Sequence, residues 1–312
     1  MIARFFHLQS RRAFPALTLL LLTLAMACGS APTATGSPTF NVRQTGEGTV
    51  EPILATKVLR VGTQRVAFLL TTAEQLIKAP EATVSSLYLG EGEASGEKKQ
   101  AAFHLWPYGV RGAYATQLNF GRPGSWRLDI EVEGPDGPAT TQLLLDIAER
   151  TSIPEIGTVP PLSPNKTVHT VEGLADLTTD YSPDPELYQL TIGEAVITGR
   201  PTVIVFATPA FCTSPTCGPQ VDTVSQLKEL YLGEANFIHV ELYDNPDEIQ
   251  GDLSKAELSN LVHEWGLSSI PHWFNESWTF VLGPDGRIAQ RFEGFATLEE
   301  LEEVLRAELA RT

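Results

Sequence analysis

Two cysteines in the C-terminal half carry the clearest chemistry in this sequence of 312 residues. Cys212 and Cys217 lie in the segment FATPAFCTSPTCGP, directly after the short apolar run of residues 201–206. Apolar residues then recur at helical spacing over residues 221–231. The pattern therefore predicts a buried strand, then both cysteines, then a helix. Free amides in the first turn of a helix stabilise a thiolate, and a second thiol within reach can close a disulfide on the first.

This pair of cysteines is compatible with three kinds of chemistry. It can exchange disulfides with another protein through a mixed disulfide. It can form a static disulfide that closes a loop, which is typical of proteins outside the cytoplasm. It can also contribute to a metal site. With only three cysteines in the chain, an all-thiolate zinc site and a disulfide-rich scaffold are both excluded.

The elements expected around the cysteines alternate between strand and helix. Two continuous apolar runs indicate strands that are buried on both faces, and a turn of sequence GPDG joins two further strands in a hairpin. Ser254 and Glu257 form a capping-box signature before a helix. The last helix is expected to face inward with its leucines and outward with Glu299, Glu300, Glu302 and Glu303. The predicted order βαβαββα gives a mixed sheet with helices on both faces; its strands are 201–206, 236–242, 278–282 and 287–293.

Residues 169–312 resemble a thioredoxin-like domain. FATPAFC stands where that family has a strand followed by WAxWC, and the approach WGL to Pro271 is similar to the family's approach to its cis-proline. The resemblance implies that Cys212 is the attacking cysteine, that Cys217 is the resolving one, and that Pro271 is a cis-proline at which substrate docks. Three features depart from the family pattern. The cysteines are spaced C-x4-C rather than C-x2-C, and a Gly-Pro pair follows the second cysteine instead of lying between the two. In addition, six residues separate Pro271 from the next strand.

The Sco-type copper chaperones share this fold and hold copper with two cysteines and a distal histidine. By that resemblance, Cys212 and Cys217 would bind copper with His272, which lies in a loop expected to face the cysteines. His239, inside a predicted strand, is the weaker candidate. We expect no cofactor, with copper as the alternative.

Residues 46–149 predict an antiparallel β-sandwich. Short alternating segments are separated by Gly and Pro turns, with no helical pattern between them. The run from Tyr114 through the PG turn to Trp126 resembles extracytoplasmic immunoglobulin-like modules of the YtkA or CopC type. Since this part holds one histidine, His104, and no methionine, we interpret it as a spacer or docking module. The predicted strands are 57–61, 65–70, 84–89, 102–106, 114–120, 126–132 and 140–145.

The N-terminus predicts export and lipid attachment. Residues 1–27 have a basic start and an apolar stretch that is too short to span a bilayer. The run LAMAC resembles the bacterial lipobox, which implies lipidation of Cys28. Residues 28–45 are expected to form a flexible tether, and the proline-rich residues 150–168 a semi-rigid linker.

The charge and the N-terminus together restrict the class of partner. Because the formal charge is −16, the chain has the wrong sign to bind nucleic acid. We therefore predict a lipid-anchored thiol–disulfide oxidoreductase on the extracytoplasmic or periplasmic face of the membrane. Its partners would be the thiols or disulfides of exported proteins. The alternatives are a Sco-like copper chaperone and a non-catalytic scaffold with a structural disulfide.

Overall fold

The structure is a computed structural model, and it describes residues 50–92, 95–107 and 109–312. The predicted signal peptide, Cys28 and the tether lie outside these residues. All of the described residues belong to one compact unit. Within the described part of the chain, no helix is long and apolar enough to cross a membrane.

Seven antiparallel strands make up the N-terminal half. They are β1 (Glu51–Leu54), β2 (Gly62–Thr71), β3 (Glu81–Tyr88), β4 (Ser95–Leu105), β5 (Gly112–Phe120), β6 (Gly124–Gly134) and β7 (Gly137–Ile147). Alternate side chains of β6, from Trp126 to Val132, enter a single apolar core, as expected for strands with one buried face.

The seven strands form one hydrogen-bonded sheet, and its two edge strands, β1 and β7, also contact each other. Its strand order is β1-β2-β5-β4-β3-β6-β7. The physical reason lies in β4, which pairs with β3 from Ser95 to Ala102 and with β5 from Ala102 to Leu105. A strand that changes partner along its length joins the two halves into one hydrogen-bonded sheet.

The strand predicted at residues 57–61 is reduced to an isolated parallel bridge, in which Arg60 pairs with Ala148. The backbone amides of Lys57 and Val58 donate to the Glu293 carboxylate, each at 2.9 Å, instead of to a neighbouring strand. The first strand is β1, which contains Pro52 and lies at the edge of the sheet. Edge strands tolerate proline because one row of their amides needs no partner in the sheet.

Residues 150–168 contain no helix or strand, and they pack along the C-terminal half. The amide of Gly157 donates to the Ile288 carbonyl at 2.7 Å, and the Ile288 amide donates to Thr158 at 2.9 Å. Further along, the buried Ser163 hydroxyl bonds to Glu264 at 2.6 Å. The linker therefore covers the C-terminal half rather than standing free of it.

The C-terminal half is built on a four-stranded mixed sheet. Its strands, in the order β11-β10-β8-β9, are β8 (Thr202–Ala207), β9 (Asn236–Glu241), β10 (Trp278–Leu282) and β11 (Ile288–Glu293). Strand β8 runs parallel to β9 and antiparallel to β10, and β10 is antiparallel to β11. Helices α2 (Cys217–Leu230) and α5 (Leu298–Leu309) cover one face, while α1 (Ile192–Val196) and α4 (Asn260–Glu264) pack on the other. A short helix, α3 (Pro246–Ile249), follows β9.

Two helical predictions need correction. Helix α4 begins at Asn260, with the Ser259 hydroxyl accepting from the Leu261 amide, whereas Ser254 lies in a separate turn of 3₁₀-helix. On α5, Glu300 does not face solvent as predicted. It binds Arg65 of β2, with Nε to Oε1 at 2.7 Å and Nη2 to Oε2 at 3.0 Å. This ion pair connects the N-terminal sheet to the C-terminal half.

Candidate functional site

Cys212 and Cys217 form a disulfide at the carboxyl end of β8, with their Cα atoms 5.9 Å apart. Strand β8 ends at Ala207 and α2 begins at Cys217, so Cys212 lies in the connection of residues 208–216. Cys217 is fully buried in the apolar core beneath α2, whereas Cys212 is partly exposed. Cys212 is therefore the more exposed residue of the pair.

The N-terminus of α2 lies at Cys217 rather than at Cys212. Cys217 is the first residue of the helix, and its N-cap, Thr216, makes no capping bond with its side chain. The partial positive charge of the helix terminus falls off within about one turn. The thiolate-stabilising field expected from the sequence therefore acts most directly on the buried cysteine, whose sulfur is bonded to that of Cys212.

The loop of residues 270–277 covers the disulfide. The Asn275 carbonyl oxygen lies 3.3 Å from each of the two sulfurs. The side-chain amide of Asn275 donates to the Phe211 carbonyl at 3.3 Å, and Thr213 Oγ1 donates to the Phe274 carbonyl at 3.0 Å. Asn275 has a φ of 56°, a left-handed conformation that asparagine tolerates better than most residues. This conformation places the Asn275 carbonyl over the sulfurs.

The cis-proline prediction is wrong. The described residues contain no cis peptide bond, and Pro271 is exposed. The residue whose backbone faces the cysteines is Asn275, four positions later. The six additional residues before β10 displace Pro271 from the site. The sequence contained that insertion, but it did not show that Asn275 would face the cysteines instead.

Ser214 connects Cys212 to an acidic residue. Its Oγ lies 3.7 Å from Cys212 Sγ, 2.9 Å from Glu276 Oε2 and 2.6 Å from Thr216 Oγ1. Sequence reasoning missed this group. A signal was present, since Ser214 and Thr216 are polar residues inside the ring that the disulfide closes.

Glu241 is buried at the end of β9, beside Ala207 of β8. Burial raises the pKa of Glu241 to about 7, despite the donors that surround the carboxylate. The amide and the hydroxyl of Thr179 donate to it at 2.8 and 2.9 Å, and the Thr179 hydroxyl accepts from the Ala210 amide at 3.2 Å. Glu241 thus anchors the start of the connection that carries Cys212.

The structure does not bring the candidate histidines to the sulfurs as a metal site. His239 is buried, which lowers its pKa to about 4. One of its ring nitrogens bonds to the Tyr188 hydroxyl at 2.7 Å, and the other bonds to the Ala207 carbonyl at 3.1 Å. His272 is exposed. Among the described residues, no three His, Cys, Asp or Glu side chains are grouped so that they could hold a metal ion.

A cleft of about 240 Å³ borders the outer side of the cysteine connection. Pro215 and Pro219 line it from the C-terminal half, and Trp106 and Val110 line it from the β4–β5 hairpin. The Trp106 ring lies 5.9 Å from that of Phe295, which also lines the cleft. Both halves of the chain therefore contribute apolar surface next to the disulfide.

Comparison with known proteins finds similar chains among the solved structures. No protein-family model matches the chain, and no curated protein matches it. A thiol:disulfide interchange protein of the thioredoxin family from Chlorobium tepidum TLS matches with a TM-score of 0.30 and 9% sequence identity. The match covers 45% of this chain and 99% of the other.

Proposed function

We propose that this protein is an extracytoplasmic thiol–disulfide oxidoreductase that acts on exported proteins through Cys212 and Cys217. The observation that carries the proposal is the asymmetry of the pair, in which Cys212 is partly exposed and Cys217 is buried at a helix N-terminus. Such an asymmetry suits exchange chemistry, because the accessible sulfur accepts or makes the external attack and the buried one resolves the mixed disulfide. A static staple does not require it.

The arrangement of the C-terminal half supports the thioredoxin-like assignment. The strand order β11-β10-β8-β9, with a cysteine pair between β8 and α2, agrees with the fold implied by the sequence resemblance. The immunoglobulin-like assignment of the N-terminal half remains part of the proposal. In our proposal this half acts as a docking module, because its β4–β5 hairpin lines the cleft beside the cysteines.

Glutathione reactivity of two cysteine variants tests the roles of the sulfurs. In folded Cys217→Ser, free Cys212 should form a mixed disulfide with oxidised glutathione. In folded Cys212→Ser, the buried Cys217 should remain unmodified. Mass spectrometry of the intact protein detects each adduct. Equal modification of both variants would contradict the assignment of Cys212 as the attacking cysteine.

The redox potential of the pair distinguishes exchange from a structural role. Equilibration with glutathione buffers, followed by thiol trapping, should give a potential within the range of exchange enzymes, about −120 to −270 mV. A potential below about −300 mV is typical of structural disulfides. Such a value would favour the non-catalytic scaffold.

Membrane attachment through Cys28 is part of the same proposal. In a bacterial host, Cys28→Ser should move the protein from the membrane fraction to the soluble extracytoplasmic fraction. Unchanged fractionation of this variant would refute the lipid anchor while leaving the exchange chemistry untouched.

A further inference from the structure

Two oxygen atoms lie near the Cys212 sulfur in the disulfide form. The Asn275 carbonyl oxygen lies 3.3 Å from this sulfur, and Ser214 Oγ lies 3.7 Å away. A carbonyl oxygen can only accept, so a neutral thiol can donate to it and a thiolate cannot. Hydrogen bonding to the neutral form of an acid disfavours its charged form.

Glu276 fixes the direction of the Ser214 hydroxyl. An ionised carboxylate can only accept, so the 2.9 Å contact requires Ser214 to donate its single hydrogen to Glu276. The Thr216 hydroxyl, 2.6 Å from the same oxygen, must then donate to Ser214. Because Ser214 donates its hydrogen to Glu276, only the lone pairs of Ser214 Oγ face Cys212. Ser214 is therefore a second acceptor for the thiol and does not stabilise a thiolate.

The charges near Cys212 also favour the neutral thiol over the thiolate. Glu276 is separated from the sulfur by a single hydroxyl group, and a nearby negative charge disfavours a thiolate. The opposing helix terminus lies at Cys217. The titratable groups that face this region are Glu276 through Ser214, Cys217 through the disulfide, and Tyr243 through its bond to the Asn275 side chain.

We propose that Ser214, Glu276 and the Asn275 carbonyl hold reduced Cys212 as a neutral thiol, and that the pair therefore gives electrons to the disulfides of exported proteins. This inference rests on the proposed exchange function and adds the direction of electron transfer. Strongly oxidising thiol–disulfide enzymes owe their potential to a stabilised reduced form with an acidic thiol. The acceptors around Cys212 oppose that stabilisation, which makes the dithiol a better electron donor.

The electrons and protons of this reaction balance as follows. Cys212 releases its proton to water and attacks one sulfur of the partner disulfide, and the other partner sulfur leaves as a thiolate. Cys217 then loses its proton and attacks Cys212, which releases the first partner sulfur and restores the Cys212–Cys217 disulfide. The partner gains two electrons and takes up two protons. A second dithiol, for which dithiothreitol serves in vitro, must reduce the pair again.

Alkylation of the reduced protein tests the state of Cys212 without any partner. The rate at which iodoacetamide modifies the Cys212 peptide is measured from pH 5 to pH 10 by mass spectrometry. Glu276→Gln should increase the rate at pH 7 about three- to tenfold, because removing a neighbouring negative charge increases the thiolate fraction. Ser214→Ala should increase it by a smaller factor. The matched control, Glu303→Gln, removes an equal charge from an exposed position on α5 and should leave the rate unchanged.

An unchanged or lower rate in folded Glu276→Gln would overturn the proposal. So would a wild-type rate that is half-maximal below pH 7. The direction of electron flow is tested separately with two probes. With dithiothreitol present, the protein should accelerate reduction of insulin disulfides, and its oxidised form should not accelerate oxidation of reduced ribonuclease A. The reverse result would refute the direction alone, whereas no exchange with insulin, ribonuclease A or glutathione would refute the proposed function.

Discussion

Loss of either partner of the Arg65–Glu300 pair should destabilise the protein far more than loss of a surface ion pair. The two side chains are 6% and 12% exposed, and the guanidinium also lies 5.5 Å from the centre of the Phe292 ring. Removing one member of a buried pair leaves an uncompensated charge and typically costs about 3–5 kcal/mol. Because both side chains retain slight contact with solvent, we expect about 3 kcal/mol for Arg65→Met or Glu300→Gln.

The stability that Glu300 contributes should depend on pH and decrease in acid. Burial alone would raise the pKa of Glu300, but the Arg65 guanidinium more than offsets burial and holds this pKa below its usual value. A carboxyl group with a lowered pKa stabilises the fold fully above its unfolded pKa of about 4.3. That contribution is lost as the pH falls through the folded pKa. The difference between wild type and Glu300→Gln should therefore be large at pH 7 and shrink in acid.

A double-mutant cycle in urea at pH 7 measures the coupling between the two side chains. We expect a coupling free energy of about 2 kcal/mol, within the range found for residues in direct contact. The matched control is the pair Lys98–Glu131, whose charged atoms are 3.8 Å apart and whose side chains are 65% and 60% exposed. Its coupling should not exceed about 0.5 kcal/mol. Equal coupling in the two pairs would refute the reasoning from burial.

Three further changes have defined outcomes. Burial raises the pKa of Glu293 to about 7, so ionisation of this carboxyl group lowers the free energy of unfolding as the pH rises from about 4.3 to 7. Glu293→Gln should therefore increase the free energy of unfolding by about 3 kcal/mol at pH 8, which raises the melting temperature, and should have little effect at pH 4. Lys228 is 4% exposed, but two of the three carboxylates that it contacts, Glu186 and Glu229, are 53% and 66% exposed, so Lys228→Met should cost only about 1 kcal/mol in urea unfolding. Equilibrium dialysis should give the same Cu(I) binding for His272→Ala as for wild type. Loss of Cu(I) binding in both Cys212→Ser and His272→Ala would favour the copper alternative.

The sequence predicted most of the elements that position the cysteines. Continuous apolar runs identified β8 and β9, because strands buried on both faces need apolar side chains at every position. The GPDG turn identified the hairpin of β10 and β11 through local backbone preference. These signals are local in the chain, and for that reason a single sequence contains them.

The errors concern groups whose partners are distant in sequence. The amides at residues 57–58 bind Glu293, and Arg65 binds Glu300, each more than 200 residues away. Helical periodicity placed Glu300 on the solvent face of α5, and it could not indicate that Arg65 of β2 would cover this position. Likewise, the approach to Pro271 matched a familiar pattern, while the position of Asn275 over the sulfurs depends on the path of the intervening loop.

The same distant contacts connect the N-terminal sheet to the Cys212–Cys217 disulfide. Arg65 donates from Nη2 to the Phe295 carbonyl at 3.3 Å, and the amide of the next residue, Ala296, donates to Gln220 Oε1 at 2.7 Å. Gln220 is fully buried in the first turn of α2, three residues after Cys217. A buried amide side chain that loses its partner costs about 1–3 kcal/mol. Displacement of Phe295 or Ala296 would therefore be resisted at both β2 and α2. The N-terminal sheet is in this way part of the structure that holds the helix of Cys217 in place, in addition to any role in docking.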